Sequence, residues 1–281
     1  MNQHNFTYGA QINRSPFLSP MQLRDRVPSA FAENQAGGLS DRYAFCSTSR
    51  IIGDLDAQGF HPVKAIESRT RTEGHAGYQK HMIRFAHESA DTMRVGEERF
   101  ELVLVNSHCG SASLQLMGGV YRLVCSNGLI IGADSFRVRA THLIGDAYGS
   151  AQEAMVRVIE SAPLAMRRVT GMKALPLHKD EAFAFAESAR GLMENANVPS
   201  ATQLLAPRRR EDAGTDLWST LNRVQENAIR GGLRTVDETG RPARRTRAVK
   251  GVDGDVRLNS ALWSLAEKMA ELKGADLAAT G

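Results

Sequence analysis

Residues 101–134, ELVLVNSHCGSASLQLMGGVYRLVCSNGLIIGAD, constrain the fold more than any other part of the chain. Short apolar runs alternate there with turn-forming segments. The turn segments lie at residues 106–110, 118–119 and 127–128. Asn127-Gly128 is typical of a two-residue hairpin turn because both residues tolerate positive φ. The pattern predicts antiparallel β-strands, with residues 121–126 and 129–133 paired across that last turn.

Periodic patterns extend this sheet and add helices after it. Further strands are predicted at residues 60–67, 80–87, 99–107, 114–117 and 129–139. Helices are predicted at residues 21–32, 48–58, 150–169, 178–193, 216–230 and 258–272, with a break at Pro163. Because strands precede most helices, we expect an α+β fold in which an antiparallel twisted sheet is followed by packed helices.

The composition is that of a folded protein. With 281 residues and 42% hydrophobic residues, the chain is long enough for a substantial core. We expect an N-terminal arm with a short helix (residues 1–40), an α+β core (41–197) and a C-terminal helical region with a basic loop (198–281). The sequence lacks an apolar run of ~20 residues and a signal-peptide pattern, which predicts a cytoplasmic protein without a membrane span.

Motifs typical of enzymes are missing from the sequence. GxSxG, P-loop, GxGxxG and HExxH patterns are absent, so no catalytic residue is assigned and an enzyme is the less favoured class. The cysteines Cys46, Cys109 and Cys125 show no CxxC spacing and are interpreted as reduced, mostly buried thiols. Cys109 follows His108 directly, and adjacent residues of an extended segment point apart, which disfavours a thiol–imidazole pair.

Three histidines are the candidate metal ligands. His81, His87 and His108 could converge with Glu101 or Asp134, but their spacing does not force them together. We interpret them as structural or surface histidines, and we expect no metal and no cofactor.

Two groups of polar residues favour nucleic acid. The predicted helix 216–230 carries a dense polar face with two open interpretations, a solvated face or a recognition surface. Its candidate contacts are Arg223, Asn227 and Arg230, beside Asn222, Gln225 and Glu226. The helix ends at Gly231-Gly232, and an arginine-rich loop follows. Candidate phosphate contacts in that loop and in the strand before the helices are Arg244, Arg245, Arg247, Lys250, Arg137 and Arg139.

Several long motifs carry a resemblance that covers nearly the whole chain. They are RSPFLSP (14–20), DRY (41–43), GFHPV (59–63), HMIRF (81–85), NSH (106–108), RLVCSNGL (122–129), NRVQENAIRGG (222–232) and LWSLAE (262–267). With these motifs the chain resembles the phage- and plasmid-borne proteins grouped as domain of unknown function 932. That resemblance implies an acidic residue after NSH, where this sequence has Cys109.

The residues and the resemblance lead to two hypotheses from different classes. The first is a non-enzymatic accessory protein of a phage or plasmid that binds DNA, in single-stranded form, during recombination or maintenance of the element. A weakly basic pI of about 9.1 agrees with it. The second is a protein-binding inhibitor of a host defence factor, whose mark would be an exposed apolar patch. An undetected nuclease or metal hydrolase is a third alternative. The oligomeric state stays open.

Overall fold

The structure is a computed structural model of the chain. It describes residues 17–89, 94–95, 98–122, 128–130, 137–140, 147–193, 198–235, 241 and 244–277. The predictions for residues 1–16 of the expected N-terminal arm, and those for Cys125, Asn127 and Asp134, concern residues outside these ranges.

An antiparallel sheet forms the centre of the fold. Its described strands are β1 (Phe60–Glu67), β2 (His81–His87), β3 (Arg94–Val95), β4 (Glu98–Asn106), β5 (Leu114–Arg122), β6 (Gly128–Ile130) and β7 (Arg137–Ala140). The order is β1-β2-β4-β5-β6, with β3 paired to β4 and β7 paired to β5. All these pairs are antiparallel, so the predicted α+β class is confirmed.

Helices pack on this sheet from both ends of the chain. They are α1 (Pro20–Arg26), α2 (Thr48–Ala57), α3 (Ala147–Glu160), α4 (Ala162–Ala174), α5 (Lys179–Arg190), α6 (Ala201–Leu205), α7 (Leu217–Arg230) and α8 (Val252–Leu272). The predicted break at Pro163 is confirmed, because this proline occupies the first turn of α4. Helix α8 begins at Val252 rather than at the predicted residue 258, and α6 was not predicted.

Two predicted turns are wrong in detail. Gly118 and Gly119 do not form a turn but continue β5, opposite Leu102 and Glu101 of β4. Gly128 is not a turn residue either, since it pairs with Tyr121. In both places pairing along a long neighbouring strand overrides the local turn preference of glycine. The antiparallel pairing of the segments around residues 121 and 129 is confirmed.

Strands β6 and β7 share one edge of β5. Val120 pairs with Leu129 of β6, and Leu116 pairs with Val138 of β7. The two short strands thus lie one after the other along the same edge of β5. Arg137 pairs with Met117, and Arg139 pairs with Gln115. Because strand residues alternate between faces, these positions belong to one face of the sheet.

The main hydrophobic core lies between one sheet face and the helices. It contains sheet residues such as Phe85 and Leu102 together with Val169 of α4, Leu221 of α7 and Trp263 of α8. One contiguous cluster therefore joins residues on both sides of the expected boundary at residue 198. Apolar residues of the N-terminal part also belong to it, namely Leu23, Val27 and Ala30.

Candidate nucleic-acid interface

The opposite face of the sheet, here called the second face, carries charged residues among apolar ones. Lys64 of β1 pairs with Arg84 of β2 in the register, which sets two cations side by side. A small apolar cluster that includes Val103 and Tyr121 lies on this face and packs against the first turns of α8. Only part of the second face is therefore covered by a helix.

A buried carboxylate balances the arginines of the second face. Glu101 is fully buried, and its two oxygens accept from the Nε atoms of Arg84 and Arg99, each at 2.7 Å. The Arg84 guanidinium also lies 3.3 Å from the centre of the Tyr121 ring. Burial is the largest single influence and lowers the pKa of Arg84, but the charges of Glu101, Tyr121 and Asp255 and the hydrogen bond to Glu101 together outweigh it, so the pKa rises. Arg84 is thus held charged in a fixed position.

Residues 244–250, here called the basic segment, lie beside the end of α7. Thr246 is buried and anchors the segment, because its backbone N–H donates to Leu233 O at 2.9 Å and its carbonyl accepts from Gly232 N at 2.8 Å. The Thr246 Oγ1 also accepts from Leu233 N at 3.1 Å. A second backbone bond joins Val249 N to Ile229 O at 2.8 Å. The backbone of the segment is therefore fixed at several points.

The charged side chains of the basic segment point to solvent. Arg244, Arg245, Arg247 and Lys250 are all exposed. Arg245 donates to the carbonyl of Gly232 at 3.1 Å. Within the described part of the chain, the other three side chains make no hydrogen bond or ion pair. Their donors are consequently available to an anionic partner.

Arg230 lies near the basic segment, whereas Arg137 and Arg139 are located only by the register of β7. Arg230 is exposed at the end of α7 and pairs with Glu226 at 2.9 Å. The register assigns Arg137 and Arg139 to the same face as Lys64 and Arg84. The fold therefore brings three predicted contacts from distant parts of the sequence onto or next to one face.

Two of the predicted contacts, one buried and one half-buried, are held by hydrogen bonds within the protein. Asn227 is buried, and its amide donates to the carbonyls of Leu204 and Ala206 at 2.8 and 2.9 Å. Arg223 donates to the carbonyls of Asp212 and Gly214 at 2.8 and 2.6 Å. Burial lowers the pKa of Arg223. Both side chains hold the loop before α7, so we leave them out of the candidate interface.

Most of the polar face of α7 is buried, which corrects the interpretation of a solvated face, and Arg230 is its exposed member. Its buried polar residues are Asn222, Gln225, Glu226 and Asn227. Gln225, for example, donates to Asn259 of α8 at 2.9 Å. The partners come from segments far away in the sequence, which explains why helical spacing alone suggested exposure. The predicted helix and its end at Gly231 are confirmed.

A chain of ion pairs, here called the ion chain, connects the sheet to the end of α7. Along it, Glu98 contacts Lys173 at 2.5 Å, and Arg122 contacts Asp212 at 2.5 Å. Its members in order are Lys173, Glu98, Arg122, Asp212, Arg209, Glu226 and Arg230. Arg209 lies between two carboxylates of this chain, Asp212 and Glu226, which neutralise its charge.

Two of the candidate metal ligands meet in a buried polar cluster. The hydroxyl of Thr48 lies 3.0 Å from His81 Nε2 and 3.2 Å from His108 Nε2. His81 Nδ1 lies 2.9 Å from the Ser29 hydroxyl, and Asn106 donates to Thr48 at 3.0 Å. His87 belongs to another place, beside Phe60. Among the described residues, no three His, Cys, Asp or Glu side chains are placed to hold a metal.

The buried cluster makes folding sensitive to acid. Burial lowers the pKa of His81 from 6.5 to about 4. Between these values the unfolded chain takes up a proton that the folded chain does not, so stability is lost as pH falls from 6.5 towards 4. We expect about 3 kcal/mol of loss from this group. Urea unfolding at several pH values would measure it in the protein and in His81→Gln.

The His81→Gln variant should lose part of this pH dependence, whatever its stability at neutral pH. The half-exposed His75, replaced by Gln, serves as the matched control and should keep the wild-type slope. An identical slope in wild type and His81→Gln would show that His81 does not cause the acid sensitivity.

Gly231 is required by the close approach of the basic segment. Its φ is +60°, and a Cβ there would lie 2.6 Å from the carbonyl carbon of Arg247 and 2.8 Å from Thr246 O. Gly232 also has a positive φ of +77°, but a Cβ there would meet nothing within 4 Å. Gly231→Ala should therefore displace the segment, whereas Gly232→Ala should show only the backbone strain of about 1 kcal/mol.

Amide hydrogen exchange would test this difference at the Thr246 and Val249 amides. We expect faster exchange in Gly231→Ala than in Gly232→Ala. Equal protection in the two variants would mean that the contact with residue 247 does not fix the basic segment.

Sequence reasoning missed Lys64 and Asp255 of this region. Lys64 is half-buried, and burial followed by the charge of Arg84 lowers its pKa. Asp255 is in the first turn of α8, which was predicted to begin later, and burial raises its pKa against the opposing charges of Lys64 and Arg84. The alternation of Lys64 with apolar residues in its strand is the one local signal that could have indicated this residue. That alternation does not show that Arg84 is its neighbour on the adjacent strand.

Comparison with known proteins identifies the family of this chain and two relatives. The family described as Domain of unknown function (DUF932) matches residues 36–263. The chain belongs to this family. The chain is similar to the UPF0380 proteins YafZ and YfjQ of Escherichia coli (strain K12), each 36% identical over 264 residues. The alignments cover 92% of this chain and 93% of each relative. No solved structure matches the chain.

The region shared with the DUF932 family contains both parts of the candidate interface, the second face and the basic segment. In the part of the chain that the structure describes, no helix has the length and apolar character needed to cross a membrane.

Proposed function

We propose that the protein binds DNA, in single-stranded form, through the basic segment and the neighbouring second face. The observation that carries this proposal is the anchoring of the basic segment by Thr246 while its cations face solvent. A fixed backbone lowers the entropy lost when several side chains bind one partner. Lysine and arginine side chains arranged in this way suit the phosphates of a nucleic-acid backbone.

Binding is expected to depend little on base sequence. Most of the polar face of α7 is buried, so this helix offers no set of side chains to read base edges. The remaining contacts are guanidinium and ammonium groups, which recognise phosphate rather than base identity. Within this proposal the protein is a non-enzymatic accessory in recombination or maintenance of a phage or plasmid, the setting that the family resemblance implies.

A salt series tests the proposal directly. Protein freed of nucleic acid would be titrated into labelled single- and double-stranded DNA of one sequence. If the four cations of the basic segment each contact a phosphate, log affinity against log salt should have a slope of about −3 on single strands. Single strands should bind more tightly than duplex, and sequence changes should matter little. Affinity that does not change with salt, or the absence of binding, would contradict the proposal.

The alternative of a protein-binding inhibitor gains no specific support from the surface. Its expected mark is a contiguous exposed apolar patch. The exposed large apolar side chains of the described residues are Met21, Val156, Phe183 and Leu272, which belong to four different helices. Exposed apolar side chains in this number are usual on protein surfaces.

A further inference from the structure

A cavity of about 390 Å³ lies between the second face, the end of α7, the basic segment and the first turn of α8. Its volume is at the lower end of the range of small-molecule sites. The charged and aromatic residues that line it are Lys64, Arg84, Arg230, Lys250, Asp255 and Tyr121. Glu101 neutralises Arg84 and Glu226 pairs with Arg230, so Lys64 and Lys250 face the single lining carboxylate of Asp255 and leave an excess of positive charge.

Lys64 is the lining residue that most needs a partner. It is half-buried, and its register neighbour is the cation Arg84. Glu101 neutralises Arg84 and Arg99 through its two oxygens, and it makes no such bond to Lys64. Among the described residues, Lys64 has no hydrogen bond and no ion pair; the charges of Asp255 and Glu101 attract it, but burial and the charge of Arg84 outweigh them and lower its pKa. An anion in the cavity would relieve the cost of placing this ammonium beside a second cation.

The other lining residues indicate which anion fits. Arg230 and Lys250 are exposed at the mouth, so the cavity is reached from the basic segment. The Arg84 guanidinium covers a face of the Tyr121 ring at 3.3 Å, which leaves that face closed to a stacked base. The cavity therefore suits the phosphate of a ligand rather than its base. A phosphate monoester carries about −1.5 to −2 charges at pH 7 and a diester carries one, which favours the monoester among several cations.

We infer that this cavity binds a phosphate monoester. Two sources share that chemistry, the terminal phosphate of a DNA strand and a free nucleoside monophosphate. For the first source the inference rests on the proposed function, because the strand would reach the cavity along the basic segment. For the second source it stands on the cavity alone.

Binding measurements with four probes test the inference. Three are single-stranded oligonucleotides of one sequence, bearing a 5′-phosphate, a 3′-phosphate or hydroxyls at both ends. The fourth is a free deoxynucleoside 5′-monophosphate. We expect one phosphorylated end to bind about tenfold more tightly than the hydroxyl ends. Lys64→Met should abolish this preference while keeping the weaker binding of the hydroxyl oligonucleotide.

Matched variants separate the cavity from general charge effects. Lys179→Met removes an exposed lysine at the start of α5 and should keep the full preference. Lys64→Gln provides a second replacement should the methionine variant fail to fold, and it should also lose the preference. Circular dichroism would confirm the fold of each variant.

The outcomes distinguish failure of the inference from failure of the proposed function. Equal binding of all three oligonucleotides, without binding of the free monophosphate, overturns the cavity inference and leaves the proposed DNA binding intact. Binding of the free monophosphate alone, lost in Lys64→Met, supports the cavity and overturns the proposed function. A preference that survives in both Lys64 variants also overturns the inference.

Discussion

Replacing Glu101 with Gln should lower the free energy of unfolding by about 3–5 kcal/mol, because it leaves two arginines without their carboxylate in a buried place. The Glu101 side chain is fully buried, with one oxygen 2.7 Å from Arg84 Nε and the other 2.7 Å from Arg99 Nε. Glutamine keeps the shape but turns an N–H₂ group towards one guanidinium, so that two donors face each other. Urea unfolding at constant pH would measure the change.

Glu153→Gln is the matched control for this experiment. Glu153 is exposed and lies 3.8 Å from Arg157 on the same helix, so its loss should change stability by about 0.5 kcal/mol or less. Similar unfolding curves for the two variants would mean that the Arg84–Glu101–Arg99 group contributes no more than a surface pair.

Removing Arg244, Arg245 and Arg247 together should weaken binding to single-stranded DNA and flatten its dependence on salt. Each lost phosphate contact lowers the magnitude of the slope of log affinity against log salt by about 0.7–0.9, so three contacts remove about 2 to 3 units. The triple alanine variant should still fold, since all three side chains are exposed and Thr246, which anchors the segment, is unchanged.

A control variant with the same change in net charge separates local contacts from overall charge. Arg26, Arg157 and Arg167 are exposed arginines on α1, α3 and α4, and their triple alanine variant should keep most of the wild-type slope. If both triple variants lose the same amount, the basic segment has no special role. An unchanged slope in the folded Arg244, Arg245, Arg247 variant would exclude the segment from the interface.

Local sequence patterns predict most helices and strands of the fold. They do not predict which of these elements contact each other. Alternation and turn residues predicted the antiparallel strands, and Gly231-Gly232 predicted the end of α7. Pairing registers were harder, because Gly128 has the local signature of a turn and nonetheless pairs with Tyr121. A register depends on the neighbouring strand, and a single segment contains no information about that neighbour.

In the candidate site, too, the sequence predicted the local chemistry but not the contacts between distant residues. Charge density along residues 241–250 predicted a basic surface, and the exposed side chains of Arg244 and Arg247 agree with that expectation. Helical spacing placed Asn227 on a polar face but could not show that Leu204 and Ala206 supply its acceptors. The juxtaposition of Lys64 with Arg84 required knowledge of the strand order.

The ion chain also has a consequence for synthesis of the protein on the ribosome. Glu98 is buried, yet Lys173 and Trp218, which satisfy its oxygens, follow it by 75 and 120 residues. At roughly 5–20 residues per second, a ribosome needs about 6–24 s to cover the longer interval. During that time the emerging strand carries a carboxylate that can pair with Arg122 but lacks Trp218, the donor to its Oε1 oxygen. Closure of the sheet around Glu98 is therefore expected late in synthesis. Before that point, the incomplete sheet is the part of the nascent chain to which a chaperone would bind.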